Sequence, residues 1–259
     1  MKNNEQINIA IITLDSLRYD VTLALDLPNF RKLLLKSGMK RWAKVYSHGT
    51  FTLPSHIALF QSGMFPCSEA EGVEFPYNRK GKYVFKPTLS WNGHVESLYE
   101  LPEAENIVRG FEKIGYRTIG VGGVNWFNNK FKTSDFWGKL YFQDFYWKEE
   151  FSEKNPKSFE EQIDFIRPIL EKVEDPLFYF HNVSSTHHPF CNFPNTVMGQ
   201  AQSLKYVDHH IMDLIDIIPK PLHLFICSDH GECFGEDGIW GHAKYHEKVM
   251  EVPMLSVFL

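Results

Sequence analysis

Two apolar runs, one near each end of the chain, finish on a carboxylate, and this limits the fold more than any other feature. Residues 7–14 are β-branched and mostly apolar, and Asp15 follows them. Such a run reads as a central strand, buried on both faces of a parallel sheet. Residues 222–226 form the second run, followed by Cys227-Ser228-Asp229-His230-Gly231-Glu232. In an open α/β sheet, ligands lie in the crevice at the C-terminal ends of the strands. Asp15 and the Asp229–His230 pair are therefore expected to face it. A carboxylate beside an imidazole suits Zn²⁺ or Mn²⁺. Gly231 is expected to turn the backbone sharply there. Taken alone, Asp-His-Gly is also an ordinary turn, and Asp15 an ordinary helix cap or turn residue.

A third stretch is Thr50-Phe51-Thr52-Leu53-Pro54-Ser55-His56, leading into an apolar run that ends at Ser62-Gly63. Thr52 sits where an N-cap would, Pro54 suits the first turn, and Gly63 suits a stop. An ordinary capped helix satisfies this pattern. So does a site in which the Thr52 hydroxyl meets an anionic ester at a helix N-terminus. A threonine hydroxyl needs a metal or a base before it is nucleophilic.

Helices are also expected at 28–37, 103–113 and 158–173, with strands at 116–121 and 177–183. Their alternation predicts an α/β fold, a mostly parallel central sheet with helices on both faces. A helical stripe of Leu204, Val207, Ile211, Leu214 and Ile215 precedes the last carboxylate-ended strand. Two regions resist assignment. Residues 67–100 are rich in Gly, Pro and aromatics. Residues 125–151 hold eleven aromatics, which suit either a packed insertion over the sheet or a lid or dimer surface.

In this order, the blocks resemble the alkaline phosphatase superfamily, which includes sulfatases, nucleotide phosphodiesterases and lipoteichoic-acid-synthase-like enzymes. Leu14-Asp15-Ser16-Leu17-Arg18 is similar to its first metal block. Thr52-Leu53-Pro54-Ser55-His56 is similar to its nucleophile block. Ser228 to Glu232, Gly241-His242 and Val252-Pro253 are similar to its late metal block. Ser184-Ser185-Thr186-His187-His188-Pro189-Phe190 is similar to its His-x-Pro-Tyr segment, with His187 in the histidine's place and His188 the lesser candidate. Tyr206-Val207-Asp208 resembles its Tyr-x-Asp, and Asp208 is expected to be structural.

The resemblance implies an alkaline-phosphatase-like fold and a metal-dependent hydrolase or transferase of phosphate esters, a phosphatase or a phosphodiesterase. It implies a Thr52 nucleophile and one firmly held Mn²⁺ or Zn²⁺ on Asp15, Thr52, Asp229 and His230. His187 and His242 are then expected to act on the phosphoryl oxygens, with room for a second ion. Lys244 and His246 are spare candidates nearby. The departures narrow this. Formylglycine sulfatases make their aldehyde from Cys or Ser, which Thr52 cannot supply, and His56 stands where Arg is usual. Two-metal relatives carry an Asp four residues before the mid-chain His, where this chain has Val183 or Ser184. Hydrolysis of another ester in the manner of a sulfatase is the alternative, as is a non-catalytic binding protein on the same fold.

At 259 residues the chain is long enough for one catalytic domain over 1–259, without the C-terminal subdomain of longer relatives. The net charge of −5 and the lack of a Lys/Arg tract argue against a nucleic-acid partner. No apolar stretch reaches a membrane span, and the polar N-terminus reads as no signal peptide, so the cytoplasm is the expected location. Oligomeric state is open. Cys67, Cys191, Cys227 and Cys233 lack metal-finger spacing and are expected to be free thiols, with zinc capture by Cys233 the exception to weigh.

Overall fold

The computed structural model describes residues 6–61, 106–131 and 134–259 in full, with the backbone pairing of short strands between 72 and 100. Seven strands make the main sheet. They are β1 (Asn8–Leu14), β2 (Ala43–Tyr46), β3 (Arg117–Val121), β4 (Asp144–Tyr146), β5 (Leu177–Val183), β6 (Leu222–Cys227) and β7 (Glu251–Phe258). Their spatial order is β2-β7-β6-β1-β5-β3-β4. β6, β1, β5, β3 and β4 run parallel, and β7 and β2 close one side antiparallel. β1 and β5 thus sit in the middle, where both faces are covered. Every residue of β5 is buried, and the apolar character of these segments follows from that position.

Helices α1 (Tyr19–Leu23), α2 (Pro28–Lys36), α5 (Ser158–Leu170) and α6 (Val197–Ile217) cover one face. Their core takes Ala10, Ile12 and Leu14 from β1 and Leu224 and Ile226 from β6. The expected stripe on α6 is fully buried there, each side chain contributing ~1.5–3 kcal/mol by leaving water. Asp208 is structural, as expected. Its carboxylate accepts the Phe30 N–H (2.8 Å) and the Asn29 N–H (3.3 Å), capping α2.

The second face carries α3 (Thr52–Gln61), α4 (Ile107–Lys113) and the aromatic segment. Phe127, Phe136, Trp137, Tyr141 and Phe142 are buried against Phe60, Phe178 and Phe180. The packed-insertion alternative for residues 125–151 therefore holds over most of its length, and buried aromatic area explains it. Helix boundaries are shorter than expected by a few residues. Residues 101–105, Ser62, Gly63 and Cys67 lie outside the described residues. The short strands at Gly72–Val73 and Pro87–Thr88 pair with each other, as do those at Tyr77–Arg79, Lys82–Phe85 and Tyr99–Glu100.

Candidate active site

The C-terminal ends of β1, β5 and β6 open onto one crevice, and the chain delivers its polar residues there. Asp15 follows β1, Asp229 and His230 follow β6, and α3 brings Thr52. Ligand atoms of Asp15, Asp229 and His230 all lie within 4.8 Å of one another, and all three residues are buried. His230 Nε2 is 3.4 Å from Asp229 Oδ2, 3.7 Å from Asp15 Oδ1 and 3.4 Å from Thr52 Oγ1. Its other nitrogen, Nδ1–H, donates to the Gly231 carbonyl at 2.9 Å. That leaves a lone pair on Nε2 aimed at the cluster, the tautomer a metal ligand needs.

The electrostatics favour a cation. Burial and the neighbouring Asp229 push the Asp15 carboxyl well above its ordinary range, against the Asn182 amide that donates to it. Burial pushes Asp229 up to about 7, and its Oδ2 has no hydrogen-bond partner. Burial also pushes His230 down. Two buried carboxylates in one hole are costly unless a positive charge joins them. The hard oxygen and imidazole donors fit Zn²⁺ or Mn²⁺.

Two local expectations change. Thr52 is the first helical residue rather than the cap, because the Ser55 N–H bonds to the Phe51 carbonyl (3.3 Å). Its hydroxyl remains at the helix N-terminus. Gly231 makes a close approach rather than a sharp turn. A Cβ there would stand 2.0 Å from the Lys248 carbonyl oxygen.

A second cluster flanks the first. His187, His188 and His242 also bring ligand nitrogens within 4.8 Å of one another, half-buried. Glu232, only 1 % exposed, accepts from Nδ1 of His188 (3.0 Å) and of His242 (2.8 Å). Burial raises the Glu232 carboxyl, but these two hydrogen bonds outweigh it and hold the group below its usual range. The bond to Glu232 raises His188. His187 donates its Nδ1–H to the His188 carbonyl, and burial pushes it down to about 3.

Loop positions are braced from below. Gln200 of α6 donates to the carbonyls of Ser16 (2.8 Å) and Thr186 (3.3 Å) and accepts from the Arg18 N–H (3.3 Å). Ser16 is held in the left-handed region at φ 60, a conformation that costs a non-glycine residue about 1 kcal/mol. Its N–H reaches Asp229 Oδ1 at 3.1 Å. Thr186 donates to the Asp15 carbonyl at 2.7 Å.

The family model described as Sulfatase matches residues 8–258. The chain belongs to the sulfatase family. Solved structures of low identity share the fold of this sulfatase-family chain, a protein in the alkaline phosphatase superfamily from Vibrio parahaemolyticus among them. The soluble domain of lipooligosaccharide phosphoethanolamine transferase A from Neisseria meningitidis is 14 % identical, with TM-score 0.63 over 100 % of this chain and 78 % of that one. The lipoteichoic acid synthase LtaP from Listeria monocytogenes is 12 % identical, with TM-score 0.59 over 97 % of this chain and 65 % of that one. The 2-O glycosaminoglycan sulfatase BT1596 is 14 % identical, with TM-score 0.60 over 98 % and 64 %. Identities this low establish the shared fold. No curated protein matches the chain. Among the described residues of this sulfatase-family chain, no helix is long and apolar enough to cross a membrane.

All six expected site residues thus reach one crevice. Of the spare candidates, His246 caps a short helix (Glu247–Met250) by accepting the Lys248 N–H, and Lys244 is exposed. Cys191, Cys227 and Cys233 are free thiols. Cys233 packs against Val249 and Met250, in neither ligand cluster. Glu232, Asn182 and Gln200 bond to the crevice residues or their loops, and the sequence patterns gave none of them a role. Glu232 had a signal, being the last residue of the Ser228 to Glu232 block.

Proposed function

We propose that this chain is a metal-dependent enzyme that hydrolyses or transfers a phosphate ester through Thr52, within the ester-processing chemistry of its family. The observation that carries this is the Thr52 hydroxyl 3.4 Å from His230 Nε2, at the rim of the Asp15–Asp229–His230 cluster. Asp15, Thr52, Asp229 and His230 would hold the ion. A divalent cation bound there supplies positive charge that lowers the hydroxyl pKa and neutralises the ester.

The chain's own groups do the rest. The N-terminus of α3 offers unpaired backbone N–H groups to the phosphoryl oxygens. Thr52 Oγ attacks phosphorus and the ester oxygen leaves, which gives a covalent phosphothreonine. Water resolves it in a hydrolase, an alcohol in a transferase. His188 is the better proton donor on the flanking cluster, because Glu232 favours its imidazolium. His187 is held neutral and presents a lone pair. With His242 it suits a ligand to a second ion better than a donor to a phosphoryl oxygen. Thr52 argues against a formylglycine route and so supports phosphate over sulfate, while the fold is shared with a phosphoethanolamine transferase, a lipoteichoic acid synthase and a sulfatase alike.

Elemental analysis of the purified protein and turnover of aryl phosphate mono- and diesters, with an aryl sulfate alongside, test this. Bound Mn²⁺ or Zn²⁺ and phosphate ester turnover are expected, lost in Thr52→Ala and kept in Ser55→Ala and Thr50→Ala. Ser55 Oγ already donates to the Phe51 carbonyl at 2.9 Å. Activity surviving in Thr52→Ala, or turnover of the sulfate alone, overturns the reading.

A further inference from the structure

We propose that Asn182, Thr13 and His56 form a hydrogen-bond chain of fixed direction that positions the Thr52 turn from the Asp15 carboxylate, which makes His56 and Asn182 positioning residues. The inference rests on the roles given above to Asp15 and Thr52, and deepens them.

Each link has only one donor sense. The N–H groups of Gly123 and Val124 donate to Asn182 Oδ1 at 3.2 and 3.3 Å, which fixes the amide's orientation. Asn182 Nδ2 then has two hydrogens to give. One goes to Asp15 Oδ2 at 3.0 Å and one to Thr13 Oγ1 at 3.1 Å. At the far end, the Thr52 carbonyl lies 2.7 Å from His56 Nδ1. A carbonyl only accepts, so Nδ1 carries the hydrogen. His56 Nε2 is then the acceptor for the Thr13 hydroxyl at 3.0 Å. The hydrogens run from Asn182 through Thr13 to His56 and end on the residue that bears the proposed nucleophile.

The Thr52 carbonyl is the nearer acceptor for His56 Nδ1, since Asp229 Oδ2 lies 3.6 Å away, and a carboxylate there likewise only accepts. Thr13, Asp15, Thr52, His56 and Asn182 are each 0 % exposed, so water cannot stand in for a missing link. Phe127 and Phe180 hold the His56 ring edge-on, with centroids 5.0 and 5.4 Å away. The ring cannot turn without a clash in a close-packed core. The chain ties three elements, β1, β5 and α3, to one carboxylate. A shift of Asp15 on binding a cation is thereby passed to the turn that aims Thr52. His56 stands where the family usually has Arg. Its neutral ring makes it an internal strut rather than a charged group for substrate.

The test uses the full chain and three readouts. A long-range ¹H–¹⁵N correlation spectrum should show His56 neutral with its hydrogen on Nδ1. His56→Leu should lower kcat about 10–100-fold with KM little changed, the usual range for a residue acting through a ligand's surroundings. His56→Asn keeps a donor near the Nδ1 position and should recover most of that loss. Asn182→Leu should weaken Mn²⁺ binding by a similar factor, and the His56→Leu/Asn182→Leu double variant should be no worse in kcat than the poorer single one. An Nε2–H or charged His56, no rescue by Asn, or additive losses would overturn the proposal. The spectrum needs neither turnover nor a variant, and the Mn²⁺ titration needs no turnover, so they decide the chain even if Thr52 proves not to be the nucleophile.

Discussion

His181 shows how a single residue sets a limit on the molecule without touching the site. It is fully buried on the α5 side of β5, with Nδ1 2.6 Å from the Tyr179 hydroxyl and Nε2 without a partner. Burial pushes it from 6.5 down to about 3. The unfolded chain therefore binds a proton that the folded chain refuses between those values. Stability is fully present above pH 6.5 and is lost as pH falls toward 3, at about 1.4 kcal/mol per pH unit. His56, pushed down to about 4 by burial, acts in the same sense. Urea unfolding at pH 7, 6 and 5 should show this fall. His181→Leu should fall less steeply by close to one proton, whatever its absolute stability. Parallel slopes for the two proteins would refute the assignment.

At the scale of elements, the loop after β3 determines how well the crevice is built. A Cβ on Gly123 would lie 2.6 Å from the Asn182 carbonyl oxygen and 2.9 Å from Asn182 Oδ1. Gly123→Ala must push β5 and the loop apart, with an expected destabilisation of ~1–3 kcal/mol and weaker Mn²⁺ binding. Gly110 in α4 has nothing within 4 Å of a Cβ. Gly110→Ala should stabilise by roughly 0.5–1 kcal/mol, because helical glycine costs that much. Denaturant midpoints check both, and a Gly123→Ala protein as stable as its parent would break the argument. These two glycines also show what could be read from the chain. Strands ending in Asp15 and Asp229, and a helix opening at Thr52, have local signatures, so the sheet and the residues at its strand ends were legible, whereas His187 and His242 came from the family resemblance alone. Asn182, Gln200 and the working part of His56 were not. Their meaning comes from partners such as Asp15, Ser16 and Thr13, distant in sequence, and no local period encodes them. Gly231 was legible as a necessary glycine, but its cause is the Lys248 carbonyl, brought over it by the fold.

Across the whole molecule, charge is distributed unevenly with respect to the crevice. The chain carries 27 Lys and Arg against 32 Asp and Glu, and Asp15, Asp229 and Glu232 are all buried at the strand ends. The four imidazoles beside them have each committed Nδ1–H to a carbonyl or to Glu232. When they are neutral, their inward nitrogens are bases. An anionic ester entering such a space finds few donors beyond the N-terminus of α3. On the function proposed above, association is therefore expected to be sequential, cation first and ester second. Calorimetric titration of inorganic phosphate should give no binding heat with the chelator-treated protein and a saturating one after Mn²⁺ is restored. Equal phosphate binding in both would show that order of arrival does not matter. If the sequence holds, the ion acts as a gatekeeper, and the concentration of free metal around the protein governs whether substrate is admitted at all.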